Sequence, residues 1–205
     1  MEPGTQLTER QLRTRDSLLD AAQAEFLERG YAGATLAGVA ARGGVSTATL
    51  HKYYATKRAM FAGMLERFWA SNIEPPLLGG DPADCLRCIG SAYAERLLPP
   101  ESPAVVRVVI AEAIQSPELG QELYERGKGP YMARLASLLA DAVADGKMKV
   151  PDIPLAVGQF FGMINDVLFW PRLLCAEATV SQEDAERVVS EAVATFLARY
   201  AVAEK

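Results

Sequence analysis

The chain has 205 residues, of which 50% are hydrophobic and 23% charged, a composition typical of a globular protein with one or two domains. Its longest apolar stretch, 159–170, contains Asn165 and Asp166 and is too short to span a bilayer. Residues 1–7 lack the basic and apolar regions of a signal peptide, and three cysteines make a disulfide scaffold unexpected. We therefore predict a cytoplasmic protein with no membrane partner.

The charge is unevenly distributed along the chain. The net charge is −5, but residues 1–60 carry eight Lys or Arg against six Asp or Glu, whereas the remainder is acidic. A basic segment attracts phosphates, and an acidic body resists nonspecific adhesion. This distribution favours a nucleic-acid partner for the N-terminal part.

The first third of the chain predicts four helices, because apolar residues recur at helical spacing without an alternating strand pattern. Side chains that cap helix N-termini set the starts: a capping box at Thr8, then Thr35, Ser46 and Thr56. Gly30 is the expected end of the first helix. The predicted helices are 9–29, 35–42, 46–54 and 57–71.

A segment rich in proline and glycine, 74–82, separates these helices from the rest. Further helix starts are predicted where a capping residue precedes a proline, at Asp81, Ser102 and Ser116. Ser181 caps the last helix. The predicted helices are 82–98, 103–115, 117–145 with a break allowed at 127–130, 152–175 and 182–202.

Residues 35–54 meet the requirements of a helix-turn-helix. Val39 and Ala40 give a support helix its buried face, Gly44 suits the turn, and the next helix is rich in hydrogen-bonding and basic groups. Only Ala48 and Leu50 are apolar in that second helix. A short amphipathic helix at the edge of a bundle, the alternative, would carry more large apolar residues.

The segment 10–61 resembles the TetR family of transcriptional regulators. The matching residues follow in order without a gap: Ala21, Ala22, Phe26, Gly30, Tyr31, Thr35, Val39, Ala40, Gly44, Val45, Ser46, Thr49, Leu50, Tyr54, Lys57 and Phe61. The resemblance implies that 47–53 lie on the recognition helix and that Lys57 binds a DNA phosphate from a helix N-terminus. The residues predicted to contact DNA are Thr35, Ser46, Thr47, Thr49, His51, Lys52, Tyr53 and Lys57.

The segment departs from the family pattern at His51, Tyr53 and Arg58, and its support helix lacks the usual charges at Ala37 and Gly38. These departures leave the fold unchanged but make the operator sequence unreadable. Arg58 is a second cation in the first turn of its helix and opposes the helix dipole by about 0.3–1 kcal/mol. A nearby polyanion would reverse the sign of that effect.

The last two helices are the predicted dimer interface. The helix 152–175 is apolar nearly all round, which indicates burial on more than one side, and Gly158 and Gly162 would allow another helix to approach. The resemblance implies a four-helix bundle built from two protomers. The alternative is that these helices form the core of a monomer. A monomer would have one helix-turn-helix domain and could bind only one half-site of an operator, so we predict a homodimer.

Residues 105–125 and 130–170 resemble the C-terminal domain of the AefR-like TetR subgroup, which implies a small-molecule effector. We expect an apolar or aromatic effector, with ordinary core packing as the alternative for each candidate residue. Asn165 and Asp166 lie inside an apolar helix and need polar partners. The predicted effector-binding residues are Phe68, Trp69, Tyr93, Ile110, Met132, Phe161, Asn165 and Trp170.

Enzymatic chemistry finds no support in the sequence. His51 is the only histidine, which excludes a His-based metal cluster or catalytic triad, and no G-x-S-x-G or phosphate-binding glycine loop is present. We predict no catalytic residue, metal or cofactor. Cys85 and Cys88, one helical turn apart, are predicted to be small buried hydrophobes, with a redox switch as the alternative.

The sequence thus predicts an all-α chain with an N-terminal three-helix helix-turn-helix domain, 1–56, and a helical bundle for ligand binding and dimerisation, 57–205. The predicted function is a DNA-binding transcriptional regulator, a repressor released from a palindromic operator by its effector. The alternative is an effector-free DNA-binding structural or cell-division factor on the same fold.

Overall fold

The computed structural model describes residues 8–69, 80–175 and 177–202, without the side chain of Trp69. Helices account for most of these residues, and between them only an isolated antiparallel bridge, Met148 to Ala201, is of the β type. The predicted all-α fold is confirmed. The helices are α1 (Glu9–Gly33), α2 (Leu36–Arg42), α3 (Thr47–His51), α4 (Lys57–Trp69), α5 (Pro82–Leu97), α6 (Glu101–Glu112), α7 (Pro117–Leu123), a π-helix (Tyr124–Lys128), α8 (Gly129–Ala144), α9 (Ile153–Leu168), α10 (Trp170–Leu174) and α11 (Gln182–Tyr200).

The described residues form two compact units. The first combines 8–69 with 108–126, and the second combines 80–107 with 127–202. Helix α4 and the segment around α7 thus group with the helix-turn-helix, whereas the sequence assigned them to the body. The division into domains 1–56 and 57–205 stays a prediction.

The core of the first unit forms where α1 packs against α2 and α4, while α3 packs on α2 and α7 on α4. Three aromatic rings meet at its centre: the centroid of Phe61 lies 5.0 Å from that of Phe26 and 5.3 Å from that of Tyr31, both edge to face. Gly30 interrupts α1 with a φ of +67°, a conformation that glycine adopts without steric cost. The predicted end of the first regular helix is therefore confirmed.

In the second unit, α11 packs on α5 and α9, α8 packs on the same two helices, and α10 packs on α9. Phe160, Phe161 and Phe196 are buried at the centre. Arg172 is also buried, and its guanidinium donates to the carbonyls of Leu97, Leu98 and Pro99 at the end of α5. These bonds satisfy carbonyls that the helix itself leaves without partners.

Capping was predicted correctly at Thr8, Thr35, Ser46, Asp81 and Ser181, and Thr56 also caps α4, through the N–H of Ala59. The predicted start at Ser102 is wrong, because α6 begins before Ser102, whose hydroxyl donates to the carbonyl of Arg96. Ser116 precedes α7 with Pro117 in the first turn, as predicted, but its side chain makes no capping hydrogen bond.

The long helices predicted at 117–145 and 152–175 are each interrupted. The first changes to a π-helix at Tyr124–Lys128, which overlaps the break allowed at 127–130. The second ends at Leu168 because Pro171 lacks an N–H and fits only the first turn of a new helix. The predicted linker residues 74–79 lie outside the described residues, as do 1–7. None of the helices described is long and apolar enough to cross a membrane.

Candidate nucleic-acid interface

Helices α2 and α3 form a helix-turn-helix whose ends are fixed by side chains. The hydroxyl of Thr35 accepts the N–H of Gly38 at 3.0 Å, and the hydroxyl of Ser46 accepts the N–H of Thr49 at 3.1 Å. Between them Gly44 has a φ of +65°, which produces the turn with little strain. This turn directs α3 away from α2 so that one side of α3 faces solvent.

The exposed side of α3 carries polar residues. Thr47 and His51 are exposed, as is Lys52 just after the helix, whereas Leu50 is fully buried beneath them. Thr49 and Tyr53 are half-buried, and the Thr49 hydroxyl lies 2.9 Å from that of Ser46. Thr35 and Ser46 are exposed at the N-termini of their helices. The arrangement suits a recognition helix that presents small polar groups to a DNA groove.

Tyr54 attaches the C-terminal end of α3 to α4. Its ring lies over Gly63, where an added Cβ would be 2.6 Å from Cε1 of Tyr54. Its hydroxyl accepts a hydrogen bond from Nε of Arg15 on α1 at 3.3 Å. Only a residue without a side chain fits at position 63, so Gly63 helps set the orientation of α3.

A buried carboxylate on α1 was missed by the sequence analysis. Glu25 is 1% exposed and accepts from Nε of Arg42 at 2.8 Å, with Nε of Arg29 at 3.4 Å. Burial would raise its pKa, but the hydrogen bond from Arg42, the charge of Arg29 and the backbone of Thr35 outweigh it and lower the pKa.

The glutamate also explains Gly38, because a Cβ there would lie 2.2 Å from Oε1 of Glu25. The support helix lacks a side chain at this position to make room for the carboxylate. The sequence does contain a signal, since Glu25 falls on the face of α1 that buries Leu18, Ala22 and Phe26.

Lys57 points its ammonium group into the protein. Nζ donates to the carbonyls of Tyr31, Ala32 and Ala34 at 2.7, 3.1 and 3.2 Å, and it lies 4.7 Å from the centroid of the Tyr31 ring. An ammonium group has three donors, and all three are engaged. A phosphate contact by this side chain would require one of these bonds to break, so that role stays a prediction.

Arg58, which the sequence analysis paired with an external polyanion, has an acidic partner within the chain. Its Nη2 lies 3.1 Å from Oε1 of Glu122 on α7. The other oxygen of Glu122 accepts from Nε of Arg126 at 2.7 Å, and Arg126 also reaches Glu66. The hydrogen bond from Arg126, supported by Arg58, lowers the pKa of Glu122 against the opposing effect of burial.

These side chains line a cleft of about 650 Å³ in the first unit. The cleft extends from Lys52 and Tyr53, just after α3, along α4 to Glu122 and Arg126. Four cationic and two acidic side chains border it, so its charge is positive.

The predicted effector-binding residues divide between the two units. In the second unit, the buried Tyr93 hydroxyl donates to Oδ1 of Asn165 at 2.9 Å, and its ring is 4.7 Å from that of Phe161. Burial raises the pKa of Tyr93 from its ordinary value of 10 to about 12, so the phenol stays protonated even in moderately alkaline solution. Trp170 and Ile110 are 49% and 56% exposed, so neither belongs to this buried cluster.

Other predicted features of the effector site are placed differently. Asp166 is exposed and needs no buried partner, contrary to the prediction. Met132 and Phe68 are half-buried, and the side chain of Trp69 lies outside the described residues. A cleft of about 640 Å³ in the second unit lies at 80–83 and 146–148, and none of the predicted effector-binding residues lines it.

The predicted dimer helices expose part of their apolar surface. On α9, Leu155 is 55% exposed, and an added Cβ at Gly158 or Gly162 would meet nothing within 4 Å. The opposite side of the helix buries Val157, Phe160 and Phe161. The exposed face leaves room for another helix to lie against α9.

The two neighbouring cysteines differ in environment. Cys85 is buried, and burial raises the pKa of its thiol. Cys88 is exposed, so the prediction of two buried residues is wrong for Cys88. The reason is geometric, since positions three apart on α5 lie about 60° apart around the helix axis, at the edge of its buried stripe.

Comparisons with known proteins agree with this geometry. The family described as bacterial regulatory proteins, tetR family, matches residues 18–64. The family described as AefR-like transcriptional repressor, C-terminal domain, matches 84–202. No curated protein sequence matches the chain.

Three solved structures are similar over nearly their whole length. The flavonoid-responsive regulator FrrA is 26% identical with a TM-score of 0.74, covering 94% of this chain and 99% of its own. A TetR-family regulator from Pseudomonas syringae is 26% identical with a TM-score of 0.73, covering 96% and 100%. One from Mesorhizobium loti is 24% identical, also at 0.73, covering 95% and 100%.

One family match covers the helix-turn-helix and the other extends over more than half of the sequence. TetR-family regulators bind DNA and act as dimers. The chain therefore belongs to the TetR family of transcriptional regulators.

Proposed function

We propose that the protein is a transcriptional repressor that binds a palindromic operator as a homodimer and is released by a small apolar or aromatic effector. The observation that carries the DNA-binding part is the exposed polar face of α3 on a capped helix-turn-helix. A regulator of this kind acts on the chromosome, in the cytoplasm.

We assign the proposed DNA contacts from the exposure of the side chains on and around α3. Thr47 and His51 are exposed on α3 and are the candidates for base edges, while Lys52 is a candidate for phosphates. Thr35 and Ser46 lie at helix N-termini, where free N–H groups bind phosphate. Thr49 and Tyr53 are half-buried and are proposed to support these contacts.

The effector proposal rests on the cluster of Tyr93, Asn165 and Phe161. It combines aromatic rings with one pair of polar groups, a composition typical of a site for an aromatic ligand. In the structure the Tyr93 hydroxyl and the Asn165 amide are hydrogen-bonded to each other. An effector that used either group would have to replace that hydrogen bond. The similar regulator FrrA is flavonoid-responsive, and flavonoids are aromatic.

Selection of binding sites from random DNA tests the DNA-binding proposal. We expect a palindrome whose half-sites are about 34–36 Å apart. This spacing lets the two helix-turn-helix domains of the dimer bind successive major grooves on one face of the DNA. Thr47→Val should change the preferred sequence, whereas Thr179→Val, at an exposed position between α10 and α11, should not. Failure to enrich any sequence would contradict specific DNA recognition.

A screen of aromatic compounds against the selected complex tests the effector proposal. An effector must bind the DNA-free arrangement more tightly, because equal affinity for both arrangements shifts nothing. Asn165→Ala should weaken the response while leaving DNA affinity unchanged. If no compound stabilises the protein or releases DNA, the effector-free DNA-binding factor becomes the better explanation.

A further inference from the structure

We propose that Arg58 is the cation that the first turn of α4 offers to a DNA phosphate, and that Glu122 competes with DNA for it. This inference rests on the DNA-binding function proposed above. It assigns to Glu122 an inhibitory contact within the first unit.

Arg58 lies beside the end of α3, where DNA is proposed to bind. The cleft beside α4 is bordered by Lys52 and Tyr53 at the end of the recognition helix and by Thr56 and Arg58 at the start of α4. A duplex lying on the exposed face of α3 therefore brings its backbone to the mouth of this cleft. Arg58 is 52% exposed and can reach it.

Lys57, the neighbouring cation, is bound within the protein. Its three donors are used on carbonyls of the α1 end, which leaves Arg58 as the cation of that turn with donors to spare. A guanidinium has five N–H donors, and only two of them, on Nε and Nη2, contact Glu122. Arginine also binds carboxylate and phosphate with the same planar geometry, so one can replace the other.

Glu122 pairs with two arginines of the cleft. Its side chain is only 13% exposed, and its two carboxylate oxygens hold Arg58 and Arg126, which are 52% and 37% exposed. Two cations that border the cleft are thereby partly neutralised by one carboxylate. Removal of that carboxylate should leave Arg58 available to DNA.

The test measures how DNA affinity depends on salt. Anisotropy titrations with a random-sequence duplex at 50–200 mM NaCl report the number of phosphates neutralised, with a slope of about 0.9 per contact. Glu122→Gln should steepen the slope by about 0.9. Its affinity should then fall about 3.5-fold more than that of the wild type over this range.

Matched variants separate this contact from a change of net charge. Glu125→Gln removes one negative charge from the neighbouring π-helix, where Glu125 accepts from Gln121 instead of Arg58, and should leave the slope unchanged. The double variant Arg58→Ala with Glu122→Gln keeps the net charge of the wild type and should restore its slope. Equal slopes for Glu122→Gln and Glu125→Gln would overturn the proposal.

If Glu122→Gln fails to fold, Glu122→Asp replaces it: its carboxylate is one methylene shorter and holds Arg58 less well, so the slope should steepen, whereas an unchanged slope would overturn the proposal. Arg58→Ala alone should retain the wild-type slope, because Glu122 withholds Arg58 from phosphate in the wild type. A decrease of about 0.9 would show that Arg58 already contacts phosphate in the wild type and would refute the inhibitory role. A wild-type protein that binds no DNA at 50 mM NaCl would instead contradict the proposed function itself.

Discussion

Replacement of Lys57 by methionine removes the ammonium group but keeps a side chain of similar length. Three carbonyls at the end of α1 then lose their donor, of which those of Tyr31 and Ala34 are part-buried. Hydrogen bonds to charged groups contribute about 1.5–3 kcal/mol each, and solvent can replace part of this where the site is partly exposed. We expect Lys57→Met to lower the free energy of unfolding by about 2–3 kcal/mol.

Thermal denaturation followed by circular dichroism measures the effect. For a protein of this size about 2–4 °C of Tm corresponds to 1 kcal/mol, so the expected decrease is about 4–12 °C. Lys52→Met is the matched control, because Lys52 is exposed and forms no ion pair with any residue that the structure describes. Its stability should change by less than about 0.5 kcal/mol, while its DNA affinity should decrease.

The two substitutions thus have opposite expected effects. Lys57→Met should lower the stability of the protein, and Lys52→Met should lower its DNA affinity. A structural role for Lys57 would be refuted if Lys57→Met kept the wild-type Tm while its salt slope for DNA fell by about one counterion. That result would mean that the ammonium group leaves the carbonyls of α1 and binds phosphate, as the family resemblance implied.

Three further predictions concern packing, assembly and pH. Gly38→Ala should destabilise the protein by about 1–3 kcal/mol, since its Cβ would lie 2.2 Å from Glu25, whereas Gly120→Ala, with open space around it, should be neutral or slightly stabilising in the same melting experiment. Gly162→Arg should retain the fold but shift sedimentation toward the 22.2 kDa monomer, and an unchanged dimer mass would exclude this face of α9 from the interface. The pKa of Glu25 lies below its ordinary value of 4.5 in the folded protein, so the stability that the ionised carboxylate contributes is complete above about pH 4.5 and is lost as the pH falls through the folded pKa. Denaturant titrations across this range should show a smaller acid loss for Glu25→Gln, and equal losses would argue against the ion pairs.

The sequence alone predicted most of the helix starts in the first unit and the exposed face of α3, because both depend on residues close together in the chain. Thr35 and Ser46 cap through N–H groups three residues ahead, and Gly44 makes its turn through its own backbone conformation. The alternation of Leu50 with polar neighbours indicates which side of α3 is buried. Such local signals need no knowledge of distant elements.

Only the tertiary structure decided where the charged side chains find partners. Lys57 meets the end of α1, Arg42 meets Glu25 and Arg58 meets Glu122, at separations of 17 to 64 residues. Long cationic side chains reach several ångströms in many directions, so their sequence position does not fix their partner. The packing of α1 against α2 and α4, and of α7 against α4, brings particular acceptors within reach of each cation and thereby selects its partners.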